Sequence, residues 1–590
     1  MMTRRRVLFV LLVIATIIGM LWLMTQALSP GGIGWLDSAI LIAFALVLPW
    51  IAVGFWNASI GWLIQTFSLD PIGAVHIGAV RPLPHEPITV STALLLCIRN
   101  EMPARLVRNL ESLIKGLVAN QTNGQFHVYV LSDTTDERIA EQEAMAFEQV
   151  AATWQDRVSL TYRRREVNTG YKAGNIADFC ARWGAQHEFA LVLDADSLMS
   201  ATAVERLVRV MQVNPRLGIL QGLVVGLPSG SAFTRLFQFG MRLGMRSYTL
   251  GSAWWQGDCG PYWGHNAVIR LAPFIADCEL PVLQGRDGQA VHILSHDQVE
   301  AVLMRRAGYE VRVYPLEDES YEENPPTLID FIGRDLRWCA GNMQYLSLLS
   351  LPGLKFTSRV QLCLAILMFT GAPAWALLMG AFVALVSLSP AIDAVIDPFY
   401  GIGLLVSVLL MSLLPKIVSA VHVLSVAQSR RSFGGTVRFV VGFFVEMIFS
   451  FLITPILWVS QTIFLTGLLF GKRMTWAPQN RDSHSVSWRD AARMFGLHTV
   501  IGLLLAWPLV LTHPSFLWIA AIYIGGLWVS IPLTVISARP ELGAWMRAAR
   551  WLSIPEEITP PKFLQDMDAE VTQPAEMVAD LDVFDSGRQA

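Results

Sequence analysis

The chain changes character three times along its length. An apolar run from Val7 to about Leu28 follows Arg4-Arg5-Arg6, and a second extends from about Trp35 to Ile64 after Ser-Pro-Gly-Gly. Each is long enough to cross a hydrocarbon core of about 30 Å at 1.5 Å per residue. The apolar part of a cleaved leader is only about 7–15 residues, so two spans are predicted. From about residue 81 the apolar runs shorten. ALLLCI (93–98), VYVL (128–131) and LVL (191–193) have the length of buried strands. Each ends in polar residues and is followed by helix-like sequence, the alternation of βαβ units around a parallel sheet. Beyond Arg359 long apolar blocks return at about 360–387, 400–427, 437–470, 497–512 and 515–537.

Charge follows the same division. Residues 81–350 hold 55 of the 91 Asp, Glu, Lys and Arg residues, whereas 1–80 and 351–540 together hold 22. With 53% hydrophobic and 15% charged residues, against about 25% charged in a typical soluble chain, a secreted disulfide scaffold, a disordered chain and a wholly soluble enzyme are excluded. The net charge of −3 carries no basic stripe of the kind nucleic acid requires. The six cysteines are widely separated with no C-x-x-C pair, which argues for free thiols in a reducing cytosol.

The resulting division is 1–80 as a membrane region of two spans, 81–358 as a polar domain, 359–538 as a second membrane region and 539–590 as a tail. Basic residues favour the cytoplasmic side, so the N-terminus, the domain and the C-terminal side are predicted inside. The loop 388–399, with two Asp and no Lys or Arg, is predicted outside. Basic residues flank both ends of 437–470. That block is therefore expected to be a hairpin or re-entrant segment broken at Pro455, giving about six C-terminal segments. Within the domain, Phe233, Leu236, Phe237 and Met241 form one helical stripe and Arg235, Arg242 and Arg246 another, as in an interfacial helix near 233–247 on an anionic leaflet. The tail from Glu556 is acidic and Pro-containing, and disorder is expected there.

Ligands bind beyond the carboxyl ends of the strands in such sheets. Asn100-Glu101, Asp133 and Asp194-Ala195-Asp196 occupy those positions. Two carboxylates one residue apart can address one divalent cation, and Mg²⁺ usually takes one or two carboxylates plus substrate phosphates; a solvated turn is the plainer reading of D-x-D alone. Asp133 reads equally as a helix N-cap. Lys172 sits in Y-K-A-G-N, where Gly174 permits a tight approach to a phosphate or sugar, and Arg163-Arg164-Arg165 reads as an exposed basic run. Asp297, in S-H-D, opens a helical pattern. Arg334 and Arg337 are three apart and share a helical face, where two guanidiniums can grip a diphosphate beside the flat wall of Trp338.

The order N-E, S-D-T-T-D, K-A-G-N, D-A-D, Y-W-G-H-N, S-H-D, R-x-x-R-W resembles the processive membrane glycosyltransferases, the class of cellulose, chitin and hyaluronan synthases. LSDTTD, GNIADFCARWG, LVLDADSLM, YWGHNAVIR, ILSHDQVEAVLMRRAGYEV, SYEENPPTL and RDLRWCAGN resemble more closely the glucans biosynthesis glucosyltransferase H family, within glycosyltransferase family 2. The likeness is close over about 90–350 and architectural in the flanks. The chain looks shorter at its N-terminus than better-known members, which bears on any N-terminal regulatory role and not on the chemistry.

The resemblance implies an α/β GT-A (Rossmann-like) cytosolic domain inserted in a multi-span α-helical protein of the bacterial inner membrane, with both termini cytosolic. It implies an inverting transfer of glucose from UDP-glucose to a growing β-glucan, translocated to the periplasm. Asp133 and Lys172 fall on the donor side, Asp194 towards the nucleotide-sugar, and Asp196 on Mg²⁺ (or Mn²⁺). Asp297 falls at the general base, Arg334 and Arg337 on the diphosphate, and Trp338 under the acceptor. Tyr262, Trp263 and His265 belong to an acceptor-side motif, and Trp476-x-x-Gln479-x-Arg481 stands where related synthases carry a gating loop. A periplasmic glucan-modifying protein and an acyl carrier protein are implied partners. A cellulose- or hyaluronan-type synthase of another linkage and a non-catalytic membrane regulator are the competing readings.

Overall fold

The computed structural model describes residues 2–76, 86–285, 288–472 and 481–572. Two long apolar helices come first, α1 (Met2–Ala27) and α2 (Trp35–Phe67). The basic start of α1 lies against the polar domain: the Arg5 guanidinium sits 5.0 Å from the Trp254 ring centre, and Arg6 pairs with Asp258.

The domain is a mixed α/β sheet of the GT-A-like kind. Its strands are β1 (Thr92–Ile98), β2 (Phe126–Ser132), β3 (Ser159–Arg164), β4 (Phe189–Asp194), β5 (Leu198–Met199), β6 (Leu217–Gly226), β7 (Ala267–Arg270) and β8 (Glu310–Glu322). They lie in the order β3-β2-β1-β4-β7-β6-β8-β5. β3, β2, β1 and β4 are mutually parallel, and β7 is antiparallel to β4 and β6. β1 is buried at every position, which is why its sequence is apolar without alternation. Four helices matter for the site and its seat: α3 (Tyr171–Trp183), α4 (Ala232–Gln256), α5 (Asp297–Arg306) and α6 (Leu328–Met343).

α4 does not present its basic stripe to lipid. Arg235 and Arg242 are buried in ion pairs with Glu557 and Glu556 from the C-terminal segment, and only Arg246 is exposed. Its apolar side meets protein too, with Phe233 against Phe331 and Phe449. α4 also touches α2 backbone to backbone. A Cβ on Gly61 would lie 1.7 Å from the Ser247 carbonyl oxygen, and one on Gly251 would lie 1.8 Å from that of Asn57.

The C-terminal half supplies α7 (Phe356–Leu388), α8 (Pro398–Ser425), α9 (Thr436–Leu469) and α10 (Trp488–Thr512), then a pair, Pro514–Trp528 and Ser530–Ser537, bent by 59°. With α1 and α2, six helices among the described residues are long and apolar enough to cross a membrane, or up to seven spans if the bent pair is one. The predicted hairpin at 437–470 does not form: α9 is one continuous helix with Pro455 inside it. Its contacts show why no break is needed. Phe439 meets Phe239 of α4 at a tilt, Glu446 sits over Gly240, Phe449 meets Phe233, and Gln461 donates to Asp335 of α6 at 2.7 Å. The helix packs along the domain from Phe439 to Gln461 as one unbroken element.

The expected disorder from Glu556 is also corrected. Pro555–Ile558 is helical, and α11 (Lys562–Thr572) lays Leu564 and Met567 on Leu198, Val225 and Tyr321 at the sheet edge. Residues 573–590 lie outside the described residues.

Candidate active site

A cavity of about 290 Å³ opens beyond the carboxyl ends of β1, β2 and β4. Two residues past β1, Asn100 has a left-handed φ of 53°, a conformation Asn tolerates better than most residues. Its side-chain oxygen accepts from the N–H groups of Thr135 and Asp136 at 2.9 and 3.1 Å, tying the β1 and β2 ends together. Asp133, one residue past β2, reaches the cavity wall held by two hydrogen bonds of 2.7 and 2.6 Å from Arg165. The run Arg163–Arg165 is therefore no exposed basic stretch. Arg163 is buried on Asn175 at 2.6 Å, and Arg164 pairs with Glu137.

Lys172, in the first turn of α3, pairs with Asp194 and donates to the Gly264 carbonyl at 2.6 Å. Burial works against both charges, but each stabilises the other, leaving the lysine above and the aspartate below its ordinary pKa. Gly174 serves the chain rather than a ligand: a Cβ there would lie 1.9 Å from the Thr169 carbonyl oxygen. Asp196 pairs with Arg481, which also donates to Glu101 at 3.1 Å. Trp476 and Gln479 of the same loop lie outside the described residues.

Asp297 is the first residue of α5 and lines the cavity. Burial pushes its carboxyl above the usual range, against the charge of neighbouring His296 and the N–H groups of the helix start. On α6, Arg334 and Arg337 both line the cavity one turn apart, and Trp338 faces it 48% exposed. The Arg334 guanidinium lies 4.8 Å from the Trp338 ring centre and donates to Asn324 at 3.2 Å. Burial lowers the pKa of Arg337, and the charges of Arg334 and Arg481 lower it further. Three guanidiniums thus share one wall, a concentration of positive charge that suits a diphosphate.

Of Tyr262, Trp263 and His265, the last two line the cavity. Tyr262 does not. It is fully buried in the apolar layer beneath the sheet, so the predicted substrate contact at this position is withdrawn. His265 sits 3.3 Å from the Ser197 hydroxyl and 3.5 Å from Glu322, a hydrogen-bonding position. Glu322, at the end of β8, was not singled out by sequence. Burial raises its pKa, and Asp196 and Asp194 contribute. Among the described residues no three His, Cys, Asp or Glu side chains form a metal cage. Glu101, Asp196 and Glu322 line the cavity, with Glu101 and Asp196 both paired to Arg481, so a cation bound at Asp196 would have to displace that guanidinium.

The Glycosyl transferase family 2 signature matches residues 94–276, and that of Glycosyl transferase family group 2 matches 189–390. Glucans biosynthesis glucosyltransferase H of Ralstonia nicotianae is 35% identical over 590 residues, covering 97% of this chain and 67% of that protein. Its counterpart in Xanthomonas campestris pv. campestris is 34% identical over 557 residues, covering 92% of this chain and 86% of that one. The chain belongs to the glucans biosynthesis glucosyltransferase H family. It spans 63% of the length of the relatives from Pseudomonas entomophila and Nitrosomonas europaea. The mannosyltransferase PcManGT from Pyrobaculum calidifontis, solved with GDP-Man and Mn²⁺, overlays 65% of this chain at 15% identity and a TM-score of 0.43, a loose likeness. Family membership places the chain among the membrane glucosyltransferases of glycosyltransferase family 2.

Proposed function

We propose that the protein is an inverting, UDP-glucose-dependent β-glucosyltransferase that extends a periplasmic glucan and passes it through its own helices. The observation that carries this reading is the convergence of Asp133, Lys172–Asp194, Asp196, Asp297, Arg334 and Arg337, and Trp338 on one cavity. Asp133, held by Arg165, faces the uridine, and Lys172 keeps Asp194 ionised towards the nucleotide-sugar. Arg334, Arg337 and Arg481 hold the diphosphate, and Asp196 would hold Mg²⁺ or Mn²⁺. When bound, that cation offsets charge developing on the leaving UDP. Asp297 takes the proton from the acceptor hydroxyl as that oxygen attacks the anomeric carbon from the face opposite the diphosphate. The C–O bond to UDP breaks and the α-linked donor becomes a β-linked product.

For translocation, the support is a polar contact between α6 and α9 and an aromatic cluster among the apolar helices. Asp335 meets Gln461, and Trp375 stacks on Trp458 at 4.6 Å beside Tyr523. Flat rings with few fixed charges suit a moving sugar chain. The reading places the domain and both termini in the cytosol of a bacterial inner membrane. By resemblance alone it adds an acyl carrier protein and a periplasmic glucan-modifying protein as partners.

The test is incorporation of radiolabelled UDP-glucose by purified protein in lipid nanodiscs, with linkage analysis of the product. β-Glucan formation that stops in excess EDTA and in Asp196→Asn is expected. Transfer of another sugar would favour the hyaluronan-type alternative, and absence of any transfer by folded protein would favour a regulator.

A further inference from the structure

The S-H-D segment carries a second polar side chain that the scheme above leaves unused. His296 lines the same cavity as Asp297 but is only 6% exposed, and its Nδ1 lies 2.9 Å from a carboxylate oxygen of Glu300, which is 3% exposed. A buried carboxylate at that distance accepts from Nδ1–H. The ring is thereby fixed, and Nε2 is its remaining polar atom. Burial works against a charged ring, yet Glu300 and the neighbouring Asp297 outweigh it and keep the His296 pKa above its usual value. Glu300 thus supports the protonated ring, in which Nε2 is a donor.

The segment is also held from behind. Gln344 accepts from the Leu294 N–H at 2.8 Å, Tyr345 donates to the Ser295 carbonyl at 2.9 Å, and a Cβ on Gly341 would lie 2.2 Å from the Ser295 hydroxyl. Gly341 belongs to α6, the helix of Trp338, so the ring and the indole wall are fixed to one support. A solvated surface histidine has no need of a buried carboxylate partner or of this backing.

Resting on the proposed glucosyl transfer, we propose that His296, fixed through Nδ1 by Glu300, binds the acceptor sugar: Nε2–H donates to an acceptor oxygen beside the hydroxyl that Asp297 deprotonates. Water needs no such orientation, so donor hydrolysis and sugar transfer should respond differently to loss of the ring.

The experiment measures both outcomes of UDP-glucose turnover in nanodiscs, glucan formation and release of free glucose, together with UDP-glucose affinity. His296→Ala is expected to lower glucan formation about ten- to a hundredfold, the effect of losing one charge-assisted hydrogen bond. Affinity should stay within about twofold and hydrolysis should be preserved. His296→Gln, which can still donate, should recover part of the transfer. Glu300→Gln, which leaves the ring but removes the buried charge, should show a smaller loss in the same ratio, and it serves as the test if the alanine variant does not fold. A parallel fall of transfer, hydrolysis and affinity would make His296 structural and overturn the proposal, as would unchanged transfer. Failure of the wild type to consume UDP-glucose would instead remove the glucosyltransferase reading and this inference with it.

Discussion

Asp297 illustrates how one residue's surroundings set its chemistry. At the first position of α5 it has N–H groups nearby that favour its charged form by roughly 0.3–1 kcal/mol, while burial works in the other direction and prevails. Its pKa is raised, so the ionised base is lost as pH falls through a value above the ordinary carboxylate range. The acid limb of the rate profile is expected there. Asn keeps the shape and caps a helix about as well but takes no proton. Asp297→Asn should therefore lower transfer by roughly 10²–10⁴-fold and abolish that limb, with UDP-glucose affinity little changed. A near-normal rate, measured beside affinity on the same variant, would assign Asp297 to structure. Residues of this kind were legible because they stand at strand ends or helix starts, where local pattern alone marks them. Arg165 and Glu322 were not. Their meaning comes from Asp133, 32 positions away, and from a cavity assembled by distant strands.

Among the elements, the sequence pattern named α4 correctly as a helix and misjudged what covers it, and it broke α9 at Pro455 where the structure keeps one continuous helix. The arginine stripe of α4 has the spacing of a lipid-facing helix, yet its partners are Glu556 and Glu557, more than 300 positions on. No local pattern encodes such a pairing. Arg235 and Glu557 are 1% and 8% exposed at their side chains. Removing one partner of a buried pair costs about 3–5 kcal/mol, because the other is left uncompensated. Arg235→Ala should thus lower the unfolding temperature in detergent and release the C-terminal segment to protease. A Arg235→Met/Glu557→Met double variant should recover much of the loss. If the single variant unfolds like wild type, the segment is not held by this pair.

On the scale of the whole molecule, charge bias alone divided the chain into membrane, domain and membrane, and the arrangement of apolar helices around the sheet domain follows that division. The number of segments after the domain was not legible, since an apolar helix lying along a protein surface has the composition of one crossing lipid. The Lys and Arg bias of the loops sets the orientation to be tested. Hypothesis: in intact cells a membrane-impermeant thiol reagent labels Val395→Cys and not Ser485→Cys, in a background whose six native cysteines are replaced. The reverse pattern would refute the orientation.

The backbone contact of α2 with α4 has a mechanical consequence. Where Gly61 and Gly251 meet carbonyl groups directly, no side chain lies between to change rotamer and absorb displacement. A bilayer thinner or thicker than the apolar length of α2 is accommodated by tilt, and a tilt here has to carry α4 with it. α4 leads in turn, through Phe233 and Phe331, to the helix bearing Arg334, Arg337 and Trp338. A change of lipid thickness is thus expected to alter the angle at which the proposed diphosphate clamp meets the sheet, and nanodiscs differing only in acyl-chain length should support different turnover by the same protein. Such a protein has, in effect, a lever arm whose long end is set by the membrane.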